Sequence, residues 1–483
     1  QSTFQTPLHL ILLTTFIAII MCGGKSRASW CFTITLVTLT FLVAILGLFM
    51  FDEGRMMASR YYTSTGEQLL RIPEEQWTPM HKLISASRTF VMLFVFISTG
   101  ADRRAMFEGF RDSYGPVYPF QKGYAITSHK DVAAALQDPS SRGPYIGARQ
   151  FSSKCFTEDV LIFQSNGKEH AETREVIMKA FHGMNKVRKD EEVVLPGSSF
   201  SKESTQGGGK IPPEKIQLLV TANILTRVFG ETAPVDVIEH AAQYFTSGGL
   251  CAAGTVAEYL EPLPKIGGSL EKVQNIREHV FSFARNSIGG KAMIEEGSKI
   301  GWSPEQSEKA LQSVVDGVLF AGLLGTGQLT GQTFDRIMDA PQSQIPLYKK
   351  DKLRYLKESA RLQPPVTSVT HTVAEDKKVS MGNGLEPVAV AKGTTVQVII
   401  ATANSDPAVF GGKYRSKKYA ETFDPSRENL DKIVSWNGVE MSVQSREGPR
   451  WCLGHDLSLD VATKILDYIL PTEEEAAAAA AAA

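Results

Sequence analysis

The chain has 483 residues, with 51 basic against 52 acidic side chains, 43% hydrophobic residues and a net charge of -1 at pH 7. A chain this long and this apolar can bury a large core, and its balanced charge provides no field to gather a polyanion, which argues against disorder and against a nucleic-acid partner. The five cysteines, Cys22, Cys31, Cys155, Cys251 and Cys452, are odd in number and scattered without a C-x-x-C pair, which argues against a disulfide framework and a structural zinc site.

Apolar sequence concentrates in the first fifty residues. Cys31 to Phe51 runs about 21 residues without a charge, enough to cross a hydrocarbon layer of ~30 Å as a transmembrane helix. Before it, Pro7 to Cys22 is about 16 residues long and carries His9, so it reads as a second, shorter span or as an interfacial helix. No basic segment precedes it, which favours a retained anchor over a secretory signal peptide. Lys25 and Arg27 on one side and Arg55 and Arg60 on the other leave the orientation undecided. Asp52 to Arg88 mixes charges with Trp77 and Pro79 and reads as a connecting stalk. Thr89 to Thr99 is about 11 residues, too short to cross, and reads as a segment dipping into the interface. The chain thus divides into a membrane anchor (1–51), a stalk (52–100), a body (101–470) and a low-complexity tail (471–483).

The body begins with ADRRAMFEGFRDSYGP, an amphipathic helix stopped at Gly115-Pro116. PVYPFQKGYAITS alternates around a Lys122-Gly123 turn as a β-hairpin, and HKDVAAALQD returns to helix. Helical periodicity then dominates: EHAETREVIMKAF, IQLLVTANILTRVF, VIEHAAQYF, LEKVQNIREHVFSFARNSI, EQSEKALQSVVDGVLFAGLLG, KDKLRYLKESARL and LSLDVATKILDYIL. The strand signals are short, TTVQVIIATA among them, so the body is mainly α with small β-sheets. PGSSFSKESTQGGGKIPPEK is too polar to order itself and reads as a surface loop.

Three short patterns carry candidate chemistry. In KESARLQPP, Glu358 and Arg361 share one helix face, and Pro364-Pro365 halts that helix; alone, the pair is an ordinary surface ion pair. In ETFDPSREN, Arg427 follows Phe423 and Pro425. In EGPRWCLGH, Arg450 and Cys452 stand between glycines ahead of a helix. That setting lowers a thiol pKa and suits an iron ligand or a nucleophile, although a lone cysteine is more often an inert buried thiol.

Taken together, in this order and spacing, E-x-x-R, F-x-P-x-R and G-x-R-x-C-x-G resemble the C-terminal half of the cytochrome P450 superfamily. The similarity extends to ANSDPAVFG, to SYGPVYPF with YAITSHKDVAAAL, and to GKEHAETREVIMKAF, and covers most of residues 101–470. The resemblance implies the cytochrome P450 fold and a haem b whose iron takes an axial thiolate from Cys452. It further implies propionate contacts from Arg450, His170 and Arg174, with His371 as an additional donor or a packing residue, and a structural triad of Glu358, Arg361 and Arg427.

Two regions depart from the family pattern. The distal helix usually carries an acid and an alcohol that relay protons during oxygen activation. Here the run is Ala321, Gly322, Leu323, Leu324, Gly325 and Thr326, with Leu324 for the acid, Gly325 for the first threonine, and Thr326 left as the remaining hydroxyl. Ser445 stands where an aromatic usually shields the iron–sulfur bond. VSWNGVE, with Trp436, Asn437 and Gly438, is similar to a run in the allene oxide synthase and hydroperoxide lyase group, which rearranges fatty-acid hydroperoxides without external electrons. The resemblance therefore implies a membrane-anchored haem-thiolate oxidoreductase acting on an apolar or lipid-derived substrate. It works either as a hydroperoxide-rearranging enzyme or as an NADPH-dependent monooxygenase served by a reductase; a non-enzymatic haem-binding protein is the remaining alternative. The endoplasmic reticulum is the location the resemblance implies, with a plastid envelope as the other.

Overall fold

Helix-forming sequence resumes directly after the apolar N-terminal segment. In a computed structural model, Asp52–Leu70 (α1) and Pro79–Ser98 (α2) are both helical. The structure describes residues 52–72, 74–98, 103–120, 123–137, 161, 167–188, 192–197, 211–244, 269–373, 375–379, 388–436, 438–440 and 450–475. The two apolar N-terminal segments, Asn437, Ser445, the centre of the polar loop (198–210) and the end of the tail lie outside the described residues.

The described residues divide into two compact units, one up to Ala125 and one from Ile126 onward. In the first, α1 and α2 pack on each other and α1 packs on Arg103–Tyr114 (α3). Tyr62 ties the three together: its ring lies 5.1 Å from that of Phe110, and Arg88 stacks 4.3 Å over it. Arg88 also donates to the Tyr62 carbonyl at 2.9 Å, and Tyr114 donates to Glu67 at 2.8 Å. Residues 52–98, read from the sequence as a stalk and an interfacial segment, are in this structure two helices folded onto the first helix of the body. A charged, tyrosine-rich helix finds partners there that its composition alone does not disclose. Val117–Phe120 (β1) and Gly123–Ile126 (β2) follow as adjacent strands.

The second unit runs through His129–Gln137 (α4), Lys168–Arg188 (α5), Pro213–Phe229 (α6), Ser269–Asn286 (α7) and Ile288–Lys299 (α8). Pro213 opens α6 where its missing N–H costs nothing, and Gly230, at φ 76°, closes it in the left-handed region. Next comes Pro304–Gly317 (α9), started by a reciprocal Ser303–Gln306 capping box. Val318–Gly322 makes a π-helical turn, and Leu323–Asp339 (α10) continues the same rod. Among the described residues this rod, Pro304–Asp339, is the one helix long and apolar enough to cross a bilayer, and it is a core helix, with 56% of its most apolar window buried.

Pro341–Lys350 (α11) and Lys352–Leu362 (α12) precede four strands, Ser368–Thr372 (β3), Lys377–Val379 (β4), Val388–Val390 (β5) and Thr395–Ile399 (β6). β3 pairs antiparallel with β6, Thr370 facing Gln397, and β4 with β5. The strand signal TTVQVIIATA ends early, because Ile400–Ala403 turns into a short helix. There Thr402 bonds the Thr127 carbonyl, and Asn404 bonds both the N–H and the C=O of Val434. Val434–Ser435 (β7) and Gly438–Val439 (β8) form a small hairpin, and His455–Ile469 (α13) closes the body. α6, α10 and α13 pack mutually and share one core built from Leu219, Leu225, Leu323, Leu329, Val461 and Ile465. The helix after Cys452 is thereby fixed directly against the distal helix.

Candidate active site

The Glu-x-x-Arg spacing places both side chains on the inward face of α12, and they are fully buried. Arg361 binds Glu358 through two parallel bonds of 2.6 and 2.8 Å, the bidentate geometry that makes arginine–carboxylate pairs strong. Arg427 stands 3.5 Å from the same carboxylate, which also accepts the Asp424 N–H at 2.9 Å. The other Arg361 hydrogens go to backbone carbonyls, as do hydrogens on both terminal nitrogens of Arg427, whose Nε–H faces Glu358 without a hydrogen bond. Arg361 donates to Asn404, Ala420 and Thr422, and Arg427 to Phe410, Tyr419 and Thr422. The structure thus brings Glu358, Arg361 and Arg427 together as the knot that orders residues 404–427. Sequence reading missed Arg354, which donates to the carbonyls of Pro425 and Arg427 from one turn earlier on α12.

Cys452 is a half-buried free thiol two residues before α13 begins at its Gly454 cap. Its peptide N–H donates to the Trp436 carbonyl at 2.9 Å. The depressed thiol pKa expected from the sequence is not what the fold produces. Burial pushes the thiol up, and the Gly454 N–H and the Arg174 charge pull it only part of the way back. A metal would be needed to hold it as thiolate.

Arg174 and His170 come from α5, and Arg450 sits two residues before the cysteine. Arg450 is buried, and its pKa is pushed down to about 10, first by burial and then by Arg174. The Arg174 guanidinium is also lowered by burial and is raised by Cys452. Two partly desolvated guanidiniums that repel each other near a cysteine sulfur suit a dianionic ligand. A Cβ on Gly454 would lie 3.9 Å from that sulfur, an ordinary van der Waals contact. His371 lies on β3 opposite Val396.

On the distal rod, Gly325 faces open space: a Cβ there would meet nothing within 4 Å. Phe320 and Ala321 are exposed and Leu324 is half-buried, so this face carries neither an acid nor a hydroxyl. Thr326, singled out from the sequence as the remaining hydroxyl, is buried in the core with Leu323, Leu329 and Thr330.

A second polar cluster adjoins the cysteine, and sequence reading missed it. His455, buried at the start of α13, meets Glu440 at 3.0 Å and Asp456 at 2.6 Å, and Lys357 reaches Glu440 at 2.9 Å. The only signal in the sequence is a histidine three residues past Cys452 and an acid just after the Trp436–Gly438 turn. Burial pushes the Glu440 carboxyl up, but His455 and then Lys357 outweigh it and hold it down at about 2. Because the folded value lies below the ordinary 4.5, its stabilisation is complete above about pH 4.5 and is lost as the pH falls toward 2. Wild type is expected to lose about 2 kcal/mol more stability than Glu440→Gln between pH 6 and pH 3, measured by urea unfolding. Equal losses would remove Glu440 from the acid response.

No family model and no curated protein matches the sequence. Solved structures do match in shape. CalO2 aligns at 17% identity with a TM-score of 0.56, covering 77% of this chain and 89% of its own. Cytochrome P450 CREJ, in complex with (4-ethylphenyl) dihydrogen phosphate, aligns at 17% identity and a TM-score of 0.53, covering 76% and 89%. P450BioI, in complex with a hexadec-9Z-enoic acid ligated acyl carrier protein, aligns at 14% identity and a TM-score of 0.51, covering 76% and 92%. The chain has the cytochrome P450 fold.

The haem with a cysteine thiolate on its iron, which the sequence resemblance implies, is a group that the residues present fit. Cys452 is the free cysteine among the described residues, and it stands just ahead of a core helix. Arg450 and Arg174 supply the cationic pair that carboxylate side groups require, with His170 buried on the same helix as Arg174.

Proposed function

We propose that this protein is a membrane-anchored haem-thiolate enzyme that acts on an apolar, lipid-derived substrate, and that a fatty-acid hydroperoxide supplies its oxygen. The observation that carries this reading is the open face of the distal rod. Phe320, Ala321, Leu324 and Gly325 line it without any proton donor, while Thr326 points into the core. Activation of molecular oxygen calls on positioned acids, typically worth about 10²–10⁴-fold. A hydroperoxide arrives with its O–O bond already made and places less demand on such a relay.

When bound, the haem supplies the iron centre for cleavage of that bond. Cys452 provides the thiolate that sets the electron density of the iron. Arg450, Arg174 and His170 hold the carboxylates of the group and fix its orientation. Phe320 and Leu324 present apolar surface on the reacting face. The acyl chain seen with P450BioI supports a long-chain substrate here, and the run Trp436 to Gly438 is similar to one in the hydroperoxide-metabolising group. The apolar run Cys31 to Phe51 supports delivery from a membrane, the endoplasmic reticulum or a plastid envelope.

NADPH-dependent monooxygenation through a reductase is the second reading, favoured by the open space beside Gly325, which leaves room for a proton-carrying water. Purified protein incubated with a fatty-acid hydroperoxide and no reductant separates the two. Rapid loss of the hydroperoxide supports the proposal, whereas product that forms only with NADPH and a reductase contradicts it.

A further inference from the structure

Trp436 is one of two described non-glycine residues held at positive φ, 50°, a conformation that L-residues with a side chain rarely adopt. Such strain persists only where surrounding contacts impose it, and here the contacts encircle the cysteine loop. The Trp436 carbonyl accepts the Cys452 N–H at 2.9 Å. Its indole N–H donates to Ser458 at 3.2 Å, one turn into α13. The Ser458 hydroxyl donates in turn to the His455 carbonyl at 2.8 Å, and the Ser458 N–H to the Gly454 carbonyl at 2.8 Å. One residue therefore grips both ends of segment 452–458, which includes the Gly454 N–H directed at the sulfur.

The His455 ring fixes the indole from the other side. It lies edge-on to Trp436 at 4.8 Å and tilted against Trp451 at 5.0 Å. Glu440 holds the ring at 3.0 Å and is itself anchored by Lys357, the residue next to Glu358 on α12. Asp456, the other carboxylate on the ring, is 96% exposed and contributes little rigidity.

We propose that Trp436 and His455 form a clamp that positions the Cys452 peptide and thereby sets the reduction equilibrium of the iron bound to it. This rests on the haem-thiolate reading. The physical link is general: hydrogen bonds around an axial sulfur and the orientation of its peptide determine how much charge it gives the metal.

The test uses full-length haem-loaded protein. Ser458→Ala removes the acceptor of the indole N–H together with the hydroxyl's own bond to the His455 carbonyl, His455→Ala removes the ring, and His455→Gln removes the ring but keeps a donor toward Glu440. Redox titration is expected to show a shift of about tenfold in the reduction equilibrium, about 59 mV for one electron, in Ser458→Ala and His455→Ala. His455→Gln should return most of it, with haem content and circular dichroism unchanged in all three. If wild type gives the red-shifted thiolate band with carbon monoxide and all three variants titrate within twofold of it, the clamp is wrong and the haem-thiolate reading stands. If wild type itself lacks that band, both fall together. Ser458→Ala deletes one hydroxyl on a half-buried helix position and remains informative even if the His455 variants fail to fold.

Discussion

Glu358→Gln is expected to destabilise the protein by about 3–5 kcal/mol, a large share of the roughly 5–15 kcal/mol that holds a typical domain folded. Glu358 accepts two bonds from Arg361 and one from the Asp424 N–H, and it lies 3.5 Å from Arg427. Its replacement leaves two guanidiniums buried without a counter-charge, and the backbone carbonyls that also hold them cannot supply one. Urea unfolding followed by circular dichroism would read the loss directly. Glu358→Leu combined with Arg361→Met should recover part of it, because the uncompensated charge leaves together with its partner. A loss below about 1 kcal/mol would mean that the triad is an ordinary ion pair rather than the knot that orders residues 404–427.

Leu324→Asp combined with Gly325→Thr should raise oxygen-dependent turnover by about 10²-fold or more, the usual scale of a positioned acid. The substitution is sterically open: Leu324 is half-buried, and a Cβ at Gly325 meets nothing within 4 Å. Turnover would be followed as product formed per NADPH consumed in the presence of a reductase, with Thr326→Val as the companion variant. Because Thr326 is buried, Thr326→Val should leave turnover nearly unchanged. No gain in the double variant, or a large loss in Thr326→Val, would place the proton route elsewhere and weaken the peroxide reading.

The sequence was informative where chemistry depends on short spacing and less so where it depends on distant partners. Glu358, Arg361, Arg427 and Cys452 stand in patterns only a few residues long, and a helix or turn carries such patterns intact into the fold. The carbonyls that bind Arg361, at residues 404, 420 and 422, lie 43 to 61 residues away, and no local periodicity announces them. The same distance hid the cluster of His455, Glu440 and Lys357, whose members are each unremarked charged residues in the sequence.

Two further differences have identifiable physical causes. Thr326, the one hydroxyl left in the distal run, is buried in α10, and a motif match carries no information about burial. The thiol pKa was misread in sign because a helix terminus and a neighbouring arginine are visible in the sequence and burial is not. Residues 52–98 show the limit of composition: charges and tyrosines resembled a connector, yet Tyr62, Arg88 and Glu67 find specific partners within that unit.

The carbon-monoxide difference spectrum of the reduced protein, recorded beside that of Cys452→Ser, tests the haem-thiolate assignment most directly. Wild type should show the red-shifted thiolate band and Cys452→Ser should lose it while the far-ultraviolet circular dichroism stays the same. A wild-type spectrum without that band, or one that Cys452→Ser leaves unchanged, would contradict the assignment of Cys452 as the iron ligand.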